Sequence, residues 1–278
     1  SSRALSDILA KELGQSVIVE NKAGGAGIIG IQALLAAPAD GYTLLLGTSN
    51  EITMSPTLFK TLPYDPNIAF TPITPVGEFP NVLVVGPSVT SKNLTEFIEL
   101  IRSKPNRITF ASSGTGSTNH LTAVLFANQA KLDIVNVPYR GGGPALADLL
   151  GGQVDALFAT LPSAMAQIKA GKLRALAVTG NTRSAVLPEV PTIKELGLAG
   201  VVVTTWNGVL APAKMPPRLA KQIHDAIVHV AEEPSFKEKM LAVGVEPAIL
   251  ASPEFSARIK SEYEKWSLLI KRSGMSIE

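Results

Sequence analysis

The loop ASSGTGSTNHL, residues 111–121, carries the side chains whose types and spacing best suit ligand chemistry. It follows the strand-like run RITF and leads into a helix pattern, and the unpaired N–H groups at a helix start attract an anion. The candidate ligand-binding residues of this loop are Ser112, Ser113, Gly114, Thr115, Gly116, Ser117 and Thr118. The loop lacks the Gly-Lys-Ser/Thr ending of a phosphate-binding P-loop, so it predicts a small-carboxylate site. The plainer alternative is a loop whose hydroxyls only cap the helix.

Arg140 is a second candidate for carboxylate binding, at the start of the segment RGGGPALADLLGG. A guanidinium group can hold a carboxylate through two parallel hydrogen bonds. The glycines that follow predict a turn, and Pro144 predicts the start of a helix. A solvated arginine beside a turn is equally compatible with the sequence.

The segment GGAGIIG, residues 24–30, has the glycine spacing of a dinucleotide-binding turn. Gly25, Gly27 and Gly30 form the pattern. Glu51 follows the next strand-like run, where an acid that binds a cofactor ribose is expected. An NAD-linked oxidoreductase is therefore an alternative function. However, residues 21–24 separate the motif from the strand-like run SVIVE, whereas the fingerprint begins as its strand ends. Glycines that ease a tight helix entry and close packing are the favoured interpretation.

The sequence contains no constellation that requires catalysis. It has no cysteine, which excludes disulfides and thiolate chemistry, and no Gly-x-Ser-x-Gly elbow. His224 and His229 are five residues apart in one helix pattern, so they do not share a face for metal binding. His120 could act as a base near Ser113, but a structural role in the first turn of a helix is favoured. The sequence therefore predicts a protein that is not an enzyme and that uses no metal or cofactor.

Strand-like and helix-like runs alternate along the chain, which is typical of an α/β fold with a largely parallel sheet. The hydroxyl loop and Arg140 each lie between a predicted strand and a predicted helix. Predicted strands cover residues 16–20, 41–47, 81–89, 107–111, 134–139, 154–158, 173–179 and 201–214. Predicted helices cover residues 5–13, 28–37, 118–130, 144–150 and 163–170, another opens on an Asn93–Glu96 capping pair, and three more follow residue 214.

This layout predicts two lobes. Residues 1–103 form the first part of lobe 1, residues 104–204 form lobe 2, and residues 205–278 supply a return hinge strand and the C-terminal helices that complete lobe 1. In this layout the chain crosses from one lobe to the other twice, which predicts a hinge between them. A cleft between lobes is a preferred ligand site. The chain begins inside a helix pattern, so we expect a preceding strand and a signal peptide to be missing from it.

The composition narrows the class of partner. The chain has 278 residues, 46% of them hydrophobic and 17% charged, with a formal net charge of +2 and no basic block. This charge pattern does not predict a nucleic-acid partner. The longest uncharged stretches, residues 23–39 and 198–213, are broken by glycine and proline and are too short to predict a bilayer span.

Several motifs occur in an order that resembles one known family. They are VIVENKAGGAGIIG, DGYTLLLGT, LPYDP, ASSGTGSTNHL, VPYRGGGPALADLLGGQVDALF, AGKLRALAVT, PEVPTIKELG and WNGVLAP. Together they are similar to the tripartite tricarboxylate transporter substrate-binding family, also called the Bug family. The resemblance implies a periplasmic solute-binding protein of the type II, Venus-flytrap kind, with two α/β lobes joined by hinge strands. It also implies a ligand among di- or tricarboxylates, acidic amino acids and aromatic acids, which is delivered to the permease subunits of a membrane transporter.

The resemblance further implies how the ligand is held, through backbone amides, hydroxyls and ordered water in the cleft between the lobes. Carried over by position, the site residues are Ser1 and Ser2 from the loop after the missing strand, Thr48, Ser49 and Asn50 from lobe 1, Ser112 to Thr118 from lobe 2, and behind them Arg140, Gly141 and the strand around Asp155 to Thr160.

The chain departs from the family pattern at three positions. Arg3 and Asp7 reverse the usual order of an acid and a base, although they keep the i,i+4 spacing. Arg140 stands where lysine is common, which keeps the charge but changes the geometry.

The expected protein is a monomer. A ligand-sensing partner of a periplasmic receptor is an alternative to the transport function.

Overall fold

The computed structural model describes residues 2–22, 27–59 and 61–273, except for the side chains of residues 2–4, 7–8 and 272–273. The chain divides into two compact units, each held by contacts within itself. Unit 1 comprises Ser1–Glu78, Trp206–Leu241 and Glu246–Glu278, and unit 2 comprises Phe79–Thr205 and Ala242–Val245. No helix in the described ranges has the length and apolarity needed to cross a bilayer.

Unit 1 consists of helices around a small piece of sheet. Its helices are α1 (Ser2–Leu13), α2 (Ile28–Leu35), α7 (Pro217–Glu232), most of α8 (Pro234–Ala242) and α9 (Ser252–Ser273). Its strands are β1 (Leu45–Thr48), the first half of β2 (Phe70–Val85) and most of β7 (Thr204–Pro212). β1 pairs antiparallel with β7, and a short π-helical turn, Asn50–Met54, follows β1. Trp206 and Phe255 meet edge to face in the core of this unit.

Unit 2 is a sheet with helices on both faces. Its helices are α3 (Leu94–Ser103), α4 (Thr118–Ala130), α5 (Gly142–Leu150) and α6 (Leu161–Lys169). Its strands are the second half of β2 with β3 (Thr109–Ser112), β4 (Val135–Pro138), β5 (Ala156–Thr160) and β6 (Arg174–Val178). The strand order is β6–β2–β5–β3–β4.

The alternation of side chains along these strands assigns each face of the unit 2 sheet to its own core. Leu83, Phe110 and Phe158 pack with residues of α3 and α4 in one cluster. Val82 and Ala111, the neighbours of these residues in sequence, pack with residues of α5 and α6 in another. The face on the α4 side is the one that positions the candidate site.

The border between the units differs from the predicted one. Residues 79–103, which the sequence placed in lobe 1, belong to unit 2. The reason is that the second half of β2 pairs with β5 and β6, while Phe97 and Ile101 of α3 join the core around Phe110. The later border, between Thr205 and Trp206, lies one residue from the predicted position at 204/205.

The strand predicted at residues 16–20 is wrong, because these residues adopt no regular structure. Ile18 is 85% exposed, so the apolar residues of this run are not buried by a neighbouring layer. A strand is stabilised by a hydrogen-bonded neighbour and by burial of at least one face. The alternating run SVIVE satisfies the sequence pattern without either condition.

The sheet is mixed rather than largely parallel. β3 runs parallel to β4 and β5, as predicted, but β2 runs antiparallel to both β5 and β6. β2 is also 16 residues long, although the sequence predicted a strand only from Asn81. The part of β2 before Asn81 contains Pro72, Pro75 and Pro80, and proline argues against a strand because it lacks an N–H donor.

The helices agree closely with the sequence. α4 spans the predicted residues 118–130, and α3 begins at the predicted capping pair, where the Asn93 side chain accepts from Glu96 N at 2.9 Å. The three helices predicted after residue 214 are α7, α8 and α9. The α/β fold class is confirmed.

Candidate ligand-binding site

A row of polar residues crosses the unit 2 sheet at the carboxyl ends of β3 and β5. Ser112 ends β3 and Thr160 ends β5, and Thr160 lies opposite Asn81 of β2. Thr179 follows β6, and its Oγ1 accepts from Asn81 N at 2.9 Å. Strand alternation places Asn81 and Ser112 on the α4 side, because each lies two positions from a residue of the core under α4, Leu83 or Phe110.

The first turns of α4 bind to this row. Asn81 Nδ2 donates to Thr122 Oγ1 at 3.0 Å, and Thr122 Oγ1 donates in turn to Thr118 O at 2.6 Å. Asn119 Nδ2 donates to the carbonyl of Phe158 on β5. These bonds fix the start of α4 against the sheet, so the N–H groups of its first turn have a defined position.

The hydroxyl loop between β3 and α4 is held by the helix that follows it. Ser113 Oγ donates to Asn119 Oδ1, and Gly116 N donates to His120 Nδ1 at 3.1 Å. Ser117 is the N-cap and accepts from His120 N at 3.3 Å. Gly114 and Gly116 have φ of 128° and 77°, values that side chains rarely allow. The loop therefore has a backbone path that depends on glycine and on two side chains of α4.

One hydroxyl of the row has no hydrogen-bond partner within the described chain. Ser112 is 0% exposed, and its Oγ has neither a donor nor an acceptor beside it. Asn81 Oδ1 and Thr205 Oγ1 are likewise buried and unpartnered. A buried polar atom costs free energy unless it is satisfied, so such atoms indicate a place for a ligand or an ordered water.

Thr48, Ser49 and Asn50, predicted site residues of unit 1, lie where β1 ends and the π-helical turn begins. Thr48 N donates to Glu51 Oε2 at 2.8 Å, and the Thr48 hydroxyl donates to the same oxygen. Ser49 is buried with an unpartnered Oγ, and Asn50 begins the π-helical turn. Their role in ligand binding stays a prediction. Ser1 lies outside the described residues, and Ser2 begins α1 with its side chain outside that description.

The structure does not bring Asp155 to the site. Its Oδ2 accepts from both N and Oγ1 of Thr109 at 2.8 Å, and its own N donates to Thr109 Oγ1 at 3.0 Å. Both residues lie at the amino ends of β3 and β5, whereas Ser112 and Thr160 lie at the carboxyl ends. Asp155 therefore joins the amino ends of the two strands, opposite the ends that carry Ser112 and Thr160. Its role behind the ligand stays a prediction.

The remaining predicted residues lie at the ends of elements in unit 2. The Thr160 hydroxyl donates to Ser163 Oγ at 2.9 Å at the start of α6. Arg140 is exposed after β4, and Gly141 precedes α5 with φ of 112°. An exposed guanidinium is free to turn towards an anion, but the structure gives it no fixed position.

The dinucleotide interpretation loses its two main supports. Gly27 is the N-cap of α2 with φ of 94°, and a Cβ there would lie 2.7 Å from Glu51 Cβ. The glycine thus makes room for Glu51, whose carboxylate is bound to Thr48. No strand precedes the motif in residues 16–20, and Gly25 lies outside the described residues.

The candidate site has one histidine with a shifted pKa, His120, and no metal-binding cluster among the described residues. Burial lowers the pKa of His120, so the neutral ring is favoured near neutral pH. Across the described part of the chain, no group of three or more histidine or acidic side chains could hold a metal ion. Backbone dipoles and hydroxyls can bind a carboxylate without a buried countercharge.

The site residues that the sequence analysis missed are Asn81, Asn119, Thr122 and Thr179. Each is a polar residue inside or beside an apolar run, and all four are buried. A polar residue in an otherwise apolar run was the sequence signal that could have found them, because buried polar groups are nearly always hydrogen-bonded to a specific partner.

The fold is that of an α/β periplasmic binding protein, and solved structures share it. Periplasmic binding protein BugD has a TM-score of 0.90 and 30% identity, covering 100% of this chain and 93% of its own. The R. palustris protein Rpa4515, solved with adipate, has a TM-score of 0.93 and 30% identity, covering 99% and 92%. MatC (Rpa3494) from Rhodopseudomonas palustris, solved with malate, has a TM-score of 0.88 and 28% identity, covering 97% and 92%.

The sequence identifies the family. The model of the tripartite tricarboxylate transporter family receptor, TctC, matches residues 2–275. Protein BugT of Bordetella pertussis (strain Tohama I) is 34% identical over 278 residues, which cover 100% of this chain and 85% of BugT. The chain belongs to the tripartite tricarboxylate transporter receptor family of periplasmic solute-binding proteins.

Proposed function

We propose that this protein captures a small carboxylate in the periplasm and delivers it to a membrane permease of the tripartite tricarboxylate type, without catalysing a reaction. The observation that carries the proposal is the Ser112 hydroxyl, which is buried and unpartnered at the end of β3. A hydroxyl in that state can donate to a carboxylate oxygen. The N–H groups of the first turn of α4 supply further donors and a favourable dipole.

The expected ligand has two carboxylates. Adipate and malate, the ligands of two solved relatives, are both dicarboxylates. In this proposal one carboxylate lies at the hydroxyl loop, and the exposed Arg140 guanidinium is free to turn towards the charge of the ligand. Thr48, Ser49 and Asn50 of unit 1 contribute further contacts, as the family resemblance implies.

A panel of small carboxylates tests the proposal through the melting temperature. A ligand that binds only the folded protein at one hundred times its Kd stabilises it by about 2.7 kcal/mol, or about 5 °C for a chain of this size. Adipate, malate, succinate, citrate, glutamate and benzoate form the panel. Adipamide, which has the shape of adipate without its charge, and NAD are the controls.

We expect at least one carboxylate to raise the melting temperature with increasing concentration, and adipamide and NAD to leave it unchanged. Calorimetric titration then gives the Kd and a stoichiometry of one. If every carboxylate leaves the melting temperature unchanged, or NAD alone raises it, the proposal is wrong.

A further inference from the structure

His120 is a titratable residue whose ring is hydrogen-bonded to the hydroxyl loop, and the proposed function does not use it. Its Nδ1 accepts from Gly116 N at 3.1 Å, and its backbone N donates to the N-cap Ser117. Gly116 has φ of 77° and lies in the middle of the loop. The ring therefore reaches back from the first turn of α4 and holds the backbone that shapes the site.

This contact requires a particular state of the ring. An imidazole nitrogen accepts a hydrogen bond only when it carries no proton, so the single proton of the neutral ring is on Nε2. Protonation of Nδ1 would place two donors 3.1 Å apart and break the contact with Gly116 N. Burial of the ring lowers its pKa and so favours the state that the contact needs.

The surroundings supply little charge that would favour protonation. β3, β4, β5 and the short turn Ala199–Val201, which pack against α4, contain no charged residue within their bounds, and neither does α4 apart from His120 itself. Arg102 of α3 donates to Ala130 O at the far end of α4, and its positive charge does not favour protonation of the ring. His120 also lines a groove of about 240 Å³ between α4 and the residues around the start of β4. Asp133 is the charged side chain that lines this groove with His120.

We propose that His120 is a positioning residue for carboxylate binding: its neutral ring holds Gly116 and thereby sets the shape of the loop that receives the ligand. This inference rests on the proposed function of the same site. Loss of the ring contact lets Gly116 and its neighbours leave the binding geometry while the helix and the sheet stay folded. Affinity for the carboxylate should then fall without a matching loss of structure.

Two variants separate positioning from bulk packing. His120→Asn keeps an oxygen acceptor on Cγ, where Nδ1 is attached, whereas His120→Leu fills similar space without an acceptor. We expect His120→Leu to weaken carboxylate binding by about two- to tenfold, the value of one ordinary hydrogen bond, and His120→Asn to stay within about twofold of the unchanged protein. His229→Gln, an exposed histidine of α7 paired with Glu12, is the control and should have no effect on affinity.

The pH dependence of binding gives a readout that a purely packing role would not change. As the pH falls through the pKa of His120, which lies below the ordinary histidine value, the acceptor is lost and affinity should fall. The His120→Asn protein should lack this step. The unfolded chain binds that proton more tightly than the folded protein, so the free energy of unfolding also decreases as the pH is lowered. Each binding titration is therefore made at a pH where circular dichroism shows that the protein is folded.

A measurement without ligand separates failure of this inference from failure of the proposed function. Nitrogen NMR of the histidine rings should show His120 with a bare Nδ1 and a proton on Nε2. A proton on Nδ1, an affinity that rises as the pH falls, or equal losses for the Leu and Asn variants would each overturn the inference. If the ring has the expected state but no carboxylate binds, the proposed function is wrong, and with it the role of His120 in binding.

Discussion

At the scale of single residues, the site depends on two adjacent serines in opposite states. The Ser113 hydroxyl donates a hydrogen bond to Asn119 Oδ1, so it is already used in holding the loop. Ser112 is fully buried and has no partner in the described chain. Ser113 therefore has a structural role, whereas the Ser112 hydroxyl is available to donate a hydrogen bond to a carboxylate.

Replacing the two serines by alanine tests this difference. Ser112→Ala should weaken carboxylate binding by about ten- to hundredfold, because a hydrogen bond to a charged group contributes about 1.5–3 kcal/mol. The free energy of unfolding should stay unchanged or rise by up to about 1 kcal/mol, since a buried unpartnered hydroxyl is removed. Calorimetric titration and urea unfolding give the two quantities.

Ser113→Ala is the matched control. It leaves Asn119 Oδ1 without its donor, so it should cost about 0.5–1.5 kcal/mol of stability and lose less affinity than the Ser112 variant. A larger loss of affinity at Ser113 than at Ser112 would contradict the assignment of the two roles.

The sequence predicted the loop and the helix start of the site, because hydroxyls, glycines and a strand-to-helix change leave a local pattern. It could not show which hydroxyl is free, since that depends on Asn119 reaching back to Ser113. It could not show that the Asp155 side chain is bound to Thr109 of β3, because that contact follows from the register of β5 with β3. It missed Asn81, whose partners Thr122 and Thr179 are distant along the chain.

At the scale of elements, the entry to α2 shows how a cofactor-like pattern can have a packing origin. Gly27 adopts a left-handed φ of 94° as the N-cap of α2, and the Glu51 side chain lies against it. Gly30 lies inside α2, where a Cβ would meet Lys22 O at an ordinary 3.5 Å. The two glycines share a motif in sequence but have different physical requirements.

Alanine at each of these glycines gives opposite predictions. Gly27→Ala should lower the free energy of unfolding by about 1–3 kcal/mol, from backbone strain and the contact with Glu51. Gly30→Ala should be neutral or raise it by up to about 1 kcal/mol, because alanine favours helix over glycine. Urea unfolding measures both, and greater destabilisation at Gly30 than at Gly27 would contradict the packing interpretation.

The elements that the sequence predicted well are those with strong local signals. α3 and α4 have side-chain caps at Asn93 and Ser117, and both begin where the caps predict. The run 16–20 and the first half of β2 were mispredicted for the same reason. Whether an extended run becomes a strand depends on pairing with a neighbouring strand. The alternating pattern around Ile18 and the proline at position 75 are local features, and neither shows whether such a neighbour is present.

At the scale of the whole molecule, the chain passes between the two units along continuous strands. Glu78 is the last residue of unit 1 on β2, and Trp206 is where β7 enters it. Both are bound by α9, since Arg258 pairs with Glu78 at 2.9 Å and Glu262 accepts from Trp206 Nε1 at 2.8 Å. Arg258 also pairs with Glu262 at 2.8 Å, which joins the two contacts into one group.

The two tryptophans report on unit 1 alone, because Trp206 and Trp266 both belong to it. Far-ultraviolet circular dichroism reports on the helices of both units. Since β2 and β7 run unbroken through the border, each of these strands contributes residues to both units. We therefore expect the fluorescence and dichroism transitions in urea to have the same midpoint.

The control is the Glu262→Ala protein, which loses the acceptor of Trp206 and the partner of Arg258. Both transitions should move to lower urea together, whereas Glu264→Ala, at an exposed position of the same helix, should move neither. Two separate midpoints in the unchanged protein would show that the units unfold independently and would contradict this expectation.

β4 is one of the two outer strands of the unit 2 sheet, and its composition has a consequence for behaviour at high protein concentration. The outer edge of a sheet exposes unpaired N–H and C=O groups that can recruit a strand from another molecule. β4 is only four residues long and ends at Pro138, which has no N–H to offer. A short edge that ends in proline offers little backbone for the edge-to-edge growth that leads to aggregates and fibrils, so this side of the sheet is protected when many copies are close together.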